Sequence, residues 1–433
     1  MTPKAIRGIG IADPHIGIDN VGPPNENGLP ARVDDFLGNL SLVAQEAISR
    51  KVDLLAIDGD LFKSRNPPQR VLQPVCATLC AVADAGIHVF LVRGNHEGDS
   101  EPGRPNVLDT IALLRPKISA FNHPGCLTYP ALGLNILAMP WPRLKWALGE
   151  MPVGMDYAEM VPMANEGLAH RLLTLTSLRD PALPTLLLGH LAVLGADRSS
   201  EQWMTLGYEP TISLADIPLE VDLGLFGHYH KGCEMTWPPN LPIAVGANTE
   251  FRPRRAAYCG SIAKIDFGEE GQEKFWWEFE FGGPSGKEVR LEPHLLPDRP
   301  FRTLDFTYHE AAPPETVNEA FAAYIWSLNH DLDQAVVRCR LDFGTAQQAA
   351  AFSEGAAEER IREAGAWWIA GIERKAPRAI RRQDSNGEIS TMGDLDLLRL
   401  FLTGQEPDEA RLQQLIWQGA RVMEGQPALD RGG

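Results

Sequence analysis

Through the first 265 residues, short apolar runs alternate with polar clusters: "AIRGIGIA", "VDLLAI", "HVFLV", "LNILAM", "PTLLLG" and "VDLGLF". Each run is apolar at nearly every position, the pattern of a strand buried on both faces. Helix-length segments lie between several of them. In 34–50, "DDFLGNLSLVAQEAISR", positions 36, 37, 40, 43, 44, 47 and 48 follow the helical period. Strands alternating with helices predict a layered α/β domain around a largely buried sheet. Residues 261–283, "SIAKIDFGEEGQEKFWWEFEFGG", differ: they alternate around Gly268 and Gly271 and predict a β-hairpin closing a sheet edge.

A second pattern begins after the turn-rich "EPHLLPDRP". "TLDFTY" and "AVVRCRLDF" alternate as strands, 315–328 and 346–363 have helical spacing, and "AWWIAGIE" suits a last strand. This predicts a small α+β domain at 297–376, following a first domain at 1–290. Residues 377–392 are polar and turn-rich, as a tether would be. In 393–425, Asp394 can cap a helix ending at Gly404, and Pro407 suits the first turn of another. Leu395, Leu398, Phe401 and Leu402, then Leu412, Leu415, Ile416, Val422 and Met423, make two amphipathic stripes. Such a pair either folds back on its own chain or binds apolar surface on another helix; the polar tether favours the second.

Composition changes this picture little. A chain of 433 residues implies two or three domains, and 44% hydrophobic with 22% charged residues is globular. The N-terminus runs directly into a strand-like segment with no secretory hydrophobic region, and no apolar run spans a bilayer; a cytoplasmic location without membrane association is expected. The six cysteines are scattered, with no C-x-x-C pair, and read as reduced core residues. A net charge of −17 argues against a broad phosphate-binding surface but leaves room for local cations or bound metal ions.

The ends of the apolar runs carry the chemistry. The first is followed by "ADPHIG", with Asp13 and His15; the second by "DGDLF", with Asp60; the third by "RGNHEGD", with Asn95 and His96. "LLLGH" ends in His190, and "LFGHYH" supplies His228 and His230. Each fragment alone is weak evidence. Five in order, each after a strand, predict a site where the carboxyl ends of parallel strands gather. Seven N/O side chains and no thiolate suit two divalent ions such as Mn²⁺, Fe²⁺ or Zn²⁺, with Asp60 the natural bridge between ions about 3.5–4 Å apart.

The series D-x-H, G-D, G-N-H, H and G-H-x-H resembles the calcineurin-like metallophosphoesterases. That resemblance implies a layered metallophosphoesterase sandwich, carrying here a small α+β capping domain and a C-terminal helical pair. It also implies that one ion takes Asp13, His15, Asp60 and His230, and the other Asp60, Asn95, His190 and His228. His96 would then serve the leaving oxygen as a catalytic residue. "GDLFKSRNPP", "MPWPR", "GHLAVLGA" and "YCGSIAKIDFGE" resemble the SbcD branch, the nuclease subunits of SbcC–SbcD-type DNA repair complexes. By that likeness the chain would be a Mn²⁺-dependent DNA exonuclease and endonuclease. It would form a homodimer within a heterotetramer and hold an SbcC-like ABC ATPase through 393–425. Lys63 replaces the histidine or aspartate of many members, and 18–31 looks like an insertion that could reshape the mouth of the site. Lys63, Arg252, Arg254 and Arg255 are candidate DNA contacts, or simply solvated cations. A phosphoesterase acting on a small molecule or phosphoprotein would use the same ligands.

Overall fold

The computed structural model describes residues 4–375 apart from 19–20, 27, 29, 99–103, 150–153, 195–208, 236, 238–242, 246–247, 251–253 and 329–330, together with 411, 415 and 416. Arg252, the tether and nearly all of 393–425 lie outside the described residues.

The chain runs β1 (Ile6–Ile11), α1 (Arg32–Arg50), β2 (Leu54–Asp58), α2 (Gln69–Asp84), β3 (His88–Val92), α3 (Val107–Ala112), β4 (Ile118–Phe121), β5 (Gly125–Tyr129) and β6 (Leu134–Met139). It continues through α4 (Leu144–Leu148), α5 (Tyr157–Thr176), β7 (Thr185–His190), β8 (Ala192–Leu194), β9 (Thr211–Ser213), β10 (Leu223–Gly227) and β11 (Cys233–Met235). After β12 (Ile243–Val245) and β13 (Asn248–Glu250) come β14 (Arg255–Tyr258), β15 (Phe275–Gly282) and β16 (Glu288–Leu295).

Two six-stranded sheets face each other, in the orders β16-β15-β1-β2-β3-β4 and β11-β14-β10-β7-β6-β5. The central strands β1 to β4 run parallel, as do β6, β7, β10 and β14. The middle strands of both sheets are buried on both faces, which explains why their runs are apolar throughout. In β2, Leu54 and Ala56 enter the layer between the sheets, while Leu55 and Ile57 meet the helices outside. Helices α1 and α2 cover one outer face and α5 the other.

Residues 261–283 depart from the expected hairpin. The stretch 261–274 is a loop with one short 3₁₀ turn at Phe267–Glu269, and β15 begins only at Phe275. Buried Glu269 and Lys274 tie that loop to the interior. The hairpin is β15–β16, and it closes the first sheet by antiparallel pairing with β1.

Residues 301–375 build a separate sheet from β17 (Phe301–Tyr308), β18 (Val336–Phe343) and β19 (Trp368–Lys375), with α6 (Val317–Ser327) and α7 (Glu354–Glu363) in the connections. Where α+β is expected, the strands are all parallel and alternate with helices. Alternate residues of β17 and β18 pack on α6 and α7 in a core of their own. The joint to the sandwich mixes polar and aromatic contacts: Arg299 forms a two-bond pair with Asp35 at 2.9 Å and stacks on Trp367, and buried Phe301 meets Phe267 edge-on at 4.9 Å. Gly22, in the segment 18–31, lies here too, since a Cβ on it would meet the Trp367 ring at 2.6 Å.

Candidate metal centre

The chemistry expected at one sheet edge is split between two sheets. Asp13, His15, Asp60, Asn95 and His96 follow β1, β2 and β3 in the first; His190, His228 and His230 end or follow β7 and β10 in the second. All these strands deliver their carboxyl ends to one place. Ligand atoms of Asp13, His15 and His230 lie within 4.8 Å of one another, as do those of Asp13, Asp60 and His190, and of His15, Asp60 and His96.

Backbone geometry explains the spacing. Asp13, His15, Asp60 and His228 have φ of 48°, 42°, 47° and 98°, a region side-chain-bearing residues enter only at a cost of about 1–3 kcal/mol each. The neighbouring glycines make room. A Cβ on Gly59 would sit 2.0 Å from His190 Nδ1, and one on Gly227 1.9 Å from the Asp58 carbonyl oxygen. Hence Asp60 and His228 each follow a glycine at a strand end.

Hydrogen bonds set the tautomers. His190 Nδ1 donates to the Asp58 carbonyl at 2.9 Å, so its Nε2 carries a lone pair; that atom faces Asn95 Oδ1 at 3.0 Å. His230 Nδ1 donates to Glu269 at 2.8 Å, and its Nε2 faces His15 Nε2 at 3.1 Å. Burial, then the nearby His230, lowers the His15 pKa well below its ordinary value, so this ring is neutral. Imidazole nitrogens crowded together inside a protein, beside the Asp13 and Asp60 carboxylates, fit a site for cations. His96 Nδ1 donates to the Lys63 carbonyl at 2.8 Å, leaving Nε2 3.8 Å from Asp60 Oδ2. His228 stands apart from these compact groups. Its Nε2 pairs with Glu209 at 3.1 Å, its backbone N–H donates to the Asp13 carboxylate, and its ring lies 4.6 Å from that of Trp141.

Four supporting residues escape the sequence reading. Glu97 is buried and accepts from the backbone N–H groups of Asp60, Phe62 and Gly94, pinning two ligand loops together. Burial, then Asp60, raises its pKa to about 8. Burial also pushes the Glu269 carboxyl up, but Lys274 and His230 outweigh it and hold the pKa at about 2. Lys274 is fully buried and bonds Glu269, Ser261 and the His230 carbonyl. Glu209 is the fourth. Glu97 directly follows the "GNH" motif and Glu269 ends "IDFGE", but no local periodicity marks any of the four as a partner of the centre.

The basic candidates divide. Lys63 is exposed and close enough to His15 to depress its pKa. Arg254 and Arg255 are not brought to the centre: β14 begins with Arg255 opposite Leu223, at the far end of the strand from the ligands. Arg254 stacks on Trp237, 4.1 Å from the ring centroid, and donates to the Pro218 carbonyl, while Arg255 pairs with Glu234.

Residues 7–232, just over half of the chain, match the family described as calcineurin-like phosphoesterase. The chain belongs to that family. Calcineurin-like phosphoesterases use divalent metals, which agrees with the donor set. The chain is 26% identical to the DNA double-strand break repair protein Mre11 of Archaeoglobus fulgidus over 60% of its own length and 50% of that protein's. It is 22% identical to the SbcD component of the SbcCD nuclease of Bacillus subtilis over 56% of its length and 62% of the relative's. It thus spans about half the length of the archaeal relative. A solved dimetal phosphatase from Danio rerio, 13% identical, covers 66% of this chain and is itself covered to 98%, at a TM-score of 0.34.

Proposed function

We propose that this calcineurin-like phosphoesterase is a DNA nuclease subunit that hydrolyses phosphodiesters with two divalent ions, Mn²⁺ being the pair expected, beside an SbcC-like ABC ATPase. The carrying observation is the crowding of the buried His15, His190 and His230 rings beside the Asp13 and Asp60 carboxylates at the strand ends, with the His190 and His230 tautomers set by the Asp58 carbonyl and Glu269. The similarity to Mre11 and to the SbcCD nuclease supports DNA as the substrate. In this reading Asp13, His15, Asp60 and His230 hold one ion, and Asp60, Asn95, His190 and His228 the other. His228 would offer Nδ1, since Glu209 engages its Nε2. Residues 1–290 form the nuclease domain, 297–376 the cap and 393–425 the partner-binding segment.

Bound ions supply Lewis acidity and neutralise charge at the phosphate. The chain's own residues do the rest. Asp60 is locked by bonds on both sides: its backbone N–H donates to Glu97, and its Oδ1 accepts from the His96 N–H at 2.9 Å. His96, with Nδ1 committed to Lys63, keeps Nε2 to pass a proton to the leaving oxygen. Trp141 lies against the His228 ring, 4.6 Å between centroids.

The purified protein should be assayed with Mn²⁺ on linear and hairpin DNA, with and without the ATPase. His96→Asn should abolish cleavage while both ions stay bound by elemental analysis; Asp60→Ala should lose ions and activity together. Efficient turnover of a nucleotide monoester or phosphoprotein, with DNA untouched, would sink the nuclease reading.

A further inference from the structure

Beside the metal centre lies a cavity of about 530 Å³ whose wall includes Asn95 and Trp141. Four arginines line it: Arg93 is buried, Arg143 half-buried, and Arg65 and Arg104 are exposed. In a chain of net charge −17, that is a local reversal of sign. Among the described lining residues the one acid is Glu97, and its carboxyl oxygens accept from the backbone N–H groups of Asp60, Phe62 and Gly94. Arg93 is held in place by the carbonyls of Asn122, Gly94 and Trp141. Among the described residues neither Arg65 nor Arg104 has a carboxylate partner. Several guanidinium groups converging on one concave space suit a phosphate, whose oxygens accept their paired N–H donors.

We propose that this cavity is a second phosphate site, which holds the backbone phosphate next to the one being cleaved. Asn95 belongs both to the cavity wall and to the candidate ligands, so the two sites are contiguous. A strand laid across them places successive phosphates in the two. Arg65 and Arg104 at the rim meet the incoming strand, and Arg143 faces it from the wall. The site would therefore select a polymer over a monoester, because a monoester leaves the arginines unanswered. This rests on the nuclease reading, which it extends to substrate recognition.

The test uses the Mn²⁺-loaded full chain and single-stranded oligonucleotides carrying one uncharged methylphosphonate beside the cleaved linkage. In the wild type that replacement should lower kcat/KM about 10- to 100-fold, the scale of one charge-assisted hydrogen bond lost. The double variant Arg104→Ala/Arg143→Ala should lose a similar factor on ordinary DNA and nothing further on the modified strand. Its log–log salt dependence should flatten by about 0.7 per phosphate contact removed. Arg104 is exposed, so Arg104→Ala alone supplies the same comparison should the double variant not fold. Wild-type indifference to the methylphosphonate, or losses that multiply, overturns the proposal. If the protein hydrolyses bis(p-nitrophenyl) phosphate but no oligonucleotide, the nuclease reading fails separately. The cavity is then read from inhibition of that hydrolysis by inorganic pyrophosphate, expected to weaken at least about tenfold in the variant by the same scale. Unchanged inhibition would overturn the phosphate site as well.

Discussion

Gly94 has no room for a side chain: a Cβ there would sit 2.0 Å from Asp60 Oδ1 and 2.5 Å from the Asp60 backbone nitrogen. Both obstacles are fixed, the oxygen by the His96 N–H and the nitrogen by Glu97. Gly94→Ala must therefore displace Asp60, and metal affinity measured by titration is expected to fall about tenfold or more. Glu269 acts on the centre through His230. Its carboxylate fixes which nitrogen of that ring is free and makes the ring a better donor to a cation. Glu269→Gln keeps the shape but loses the charge, and leaves Lys274 buried without its counter-ion. A drop of about 10- to 100-fold in metal affinity is expected. An unchanged titration would show that Glu269 serves only the loop.

At the level of elements, the site depends on how two sheets are pressed together. Leu225 of β10 has no exposed surface and seats over Gly10 of β1, where a Cβ would approach its Cδ1 to 2.6 Å. The glycine in the "GIG" run is thus a socket for the opposite sheet. Leu225→Ala should cost about 2–5 kcal/mol in denaturant unfolding, because the rigid sheets cannot collapse onto the gap. A cost under about 1 kcal/mol would mean that the layer between the sheets is more adaptable than this packing implies. The loop 261–274 belongs to the same scale. Glu269 faces His230, while its neighbour Glu270 accepts from the backbone N–H and hydroxyl of Thr303 in β17, at 2.8 and 2.6 Å. Consecutive residues of one loop thereby touch the metal centre and the cap.

Over the whole molecule acid exceeds base, to a net charge of −17, yet four arginines line the cavity beside the centre. Among the described residues no helix is long and apolar enough to cross a membrane. The segment 393–425 makes its prediction at this scale: truncation near Asp384 should spare metal binding and basal cleavage but abolish co-purification with the ATPase. A truncated chain that keeps full affinity for its partner, or unfolds, would refute the role proposed for that segment.

Strand identity, helix α1 and the candidate ligands were legible in the sequence because each depends on local periodicity and on a polar residue at a strand end. Asp13, His15, Asp60, Asn95, His190, His228 and His230 could be picked out one by one, each after its own apolar run. The same pattern could not show that they come from two sheets, since apolar runs buried on both faces read alike whichever sheet they join. Nor could it find Glu97, Glu209, Glu269 or Lys274, whose partners are distant or lie across a loop. It also misread 261–274 as strand, because an apolar opening such as "SIAKI", buried at every position, reads alike in a loop pressed on the interior and in a strand. Only the tertiary structure separated Arg254 and Arg255 from the centre and brought Arg65, Arg93, Arg104 and Arg143 beside it. Charge is a property of residues, but a phosphate site is a property of where they converge, and convergence is set by folding.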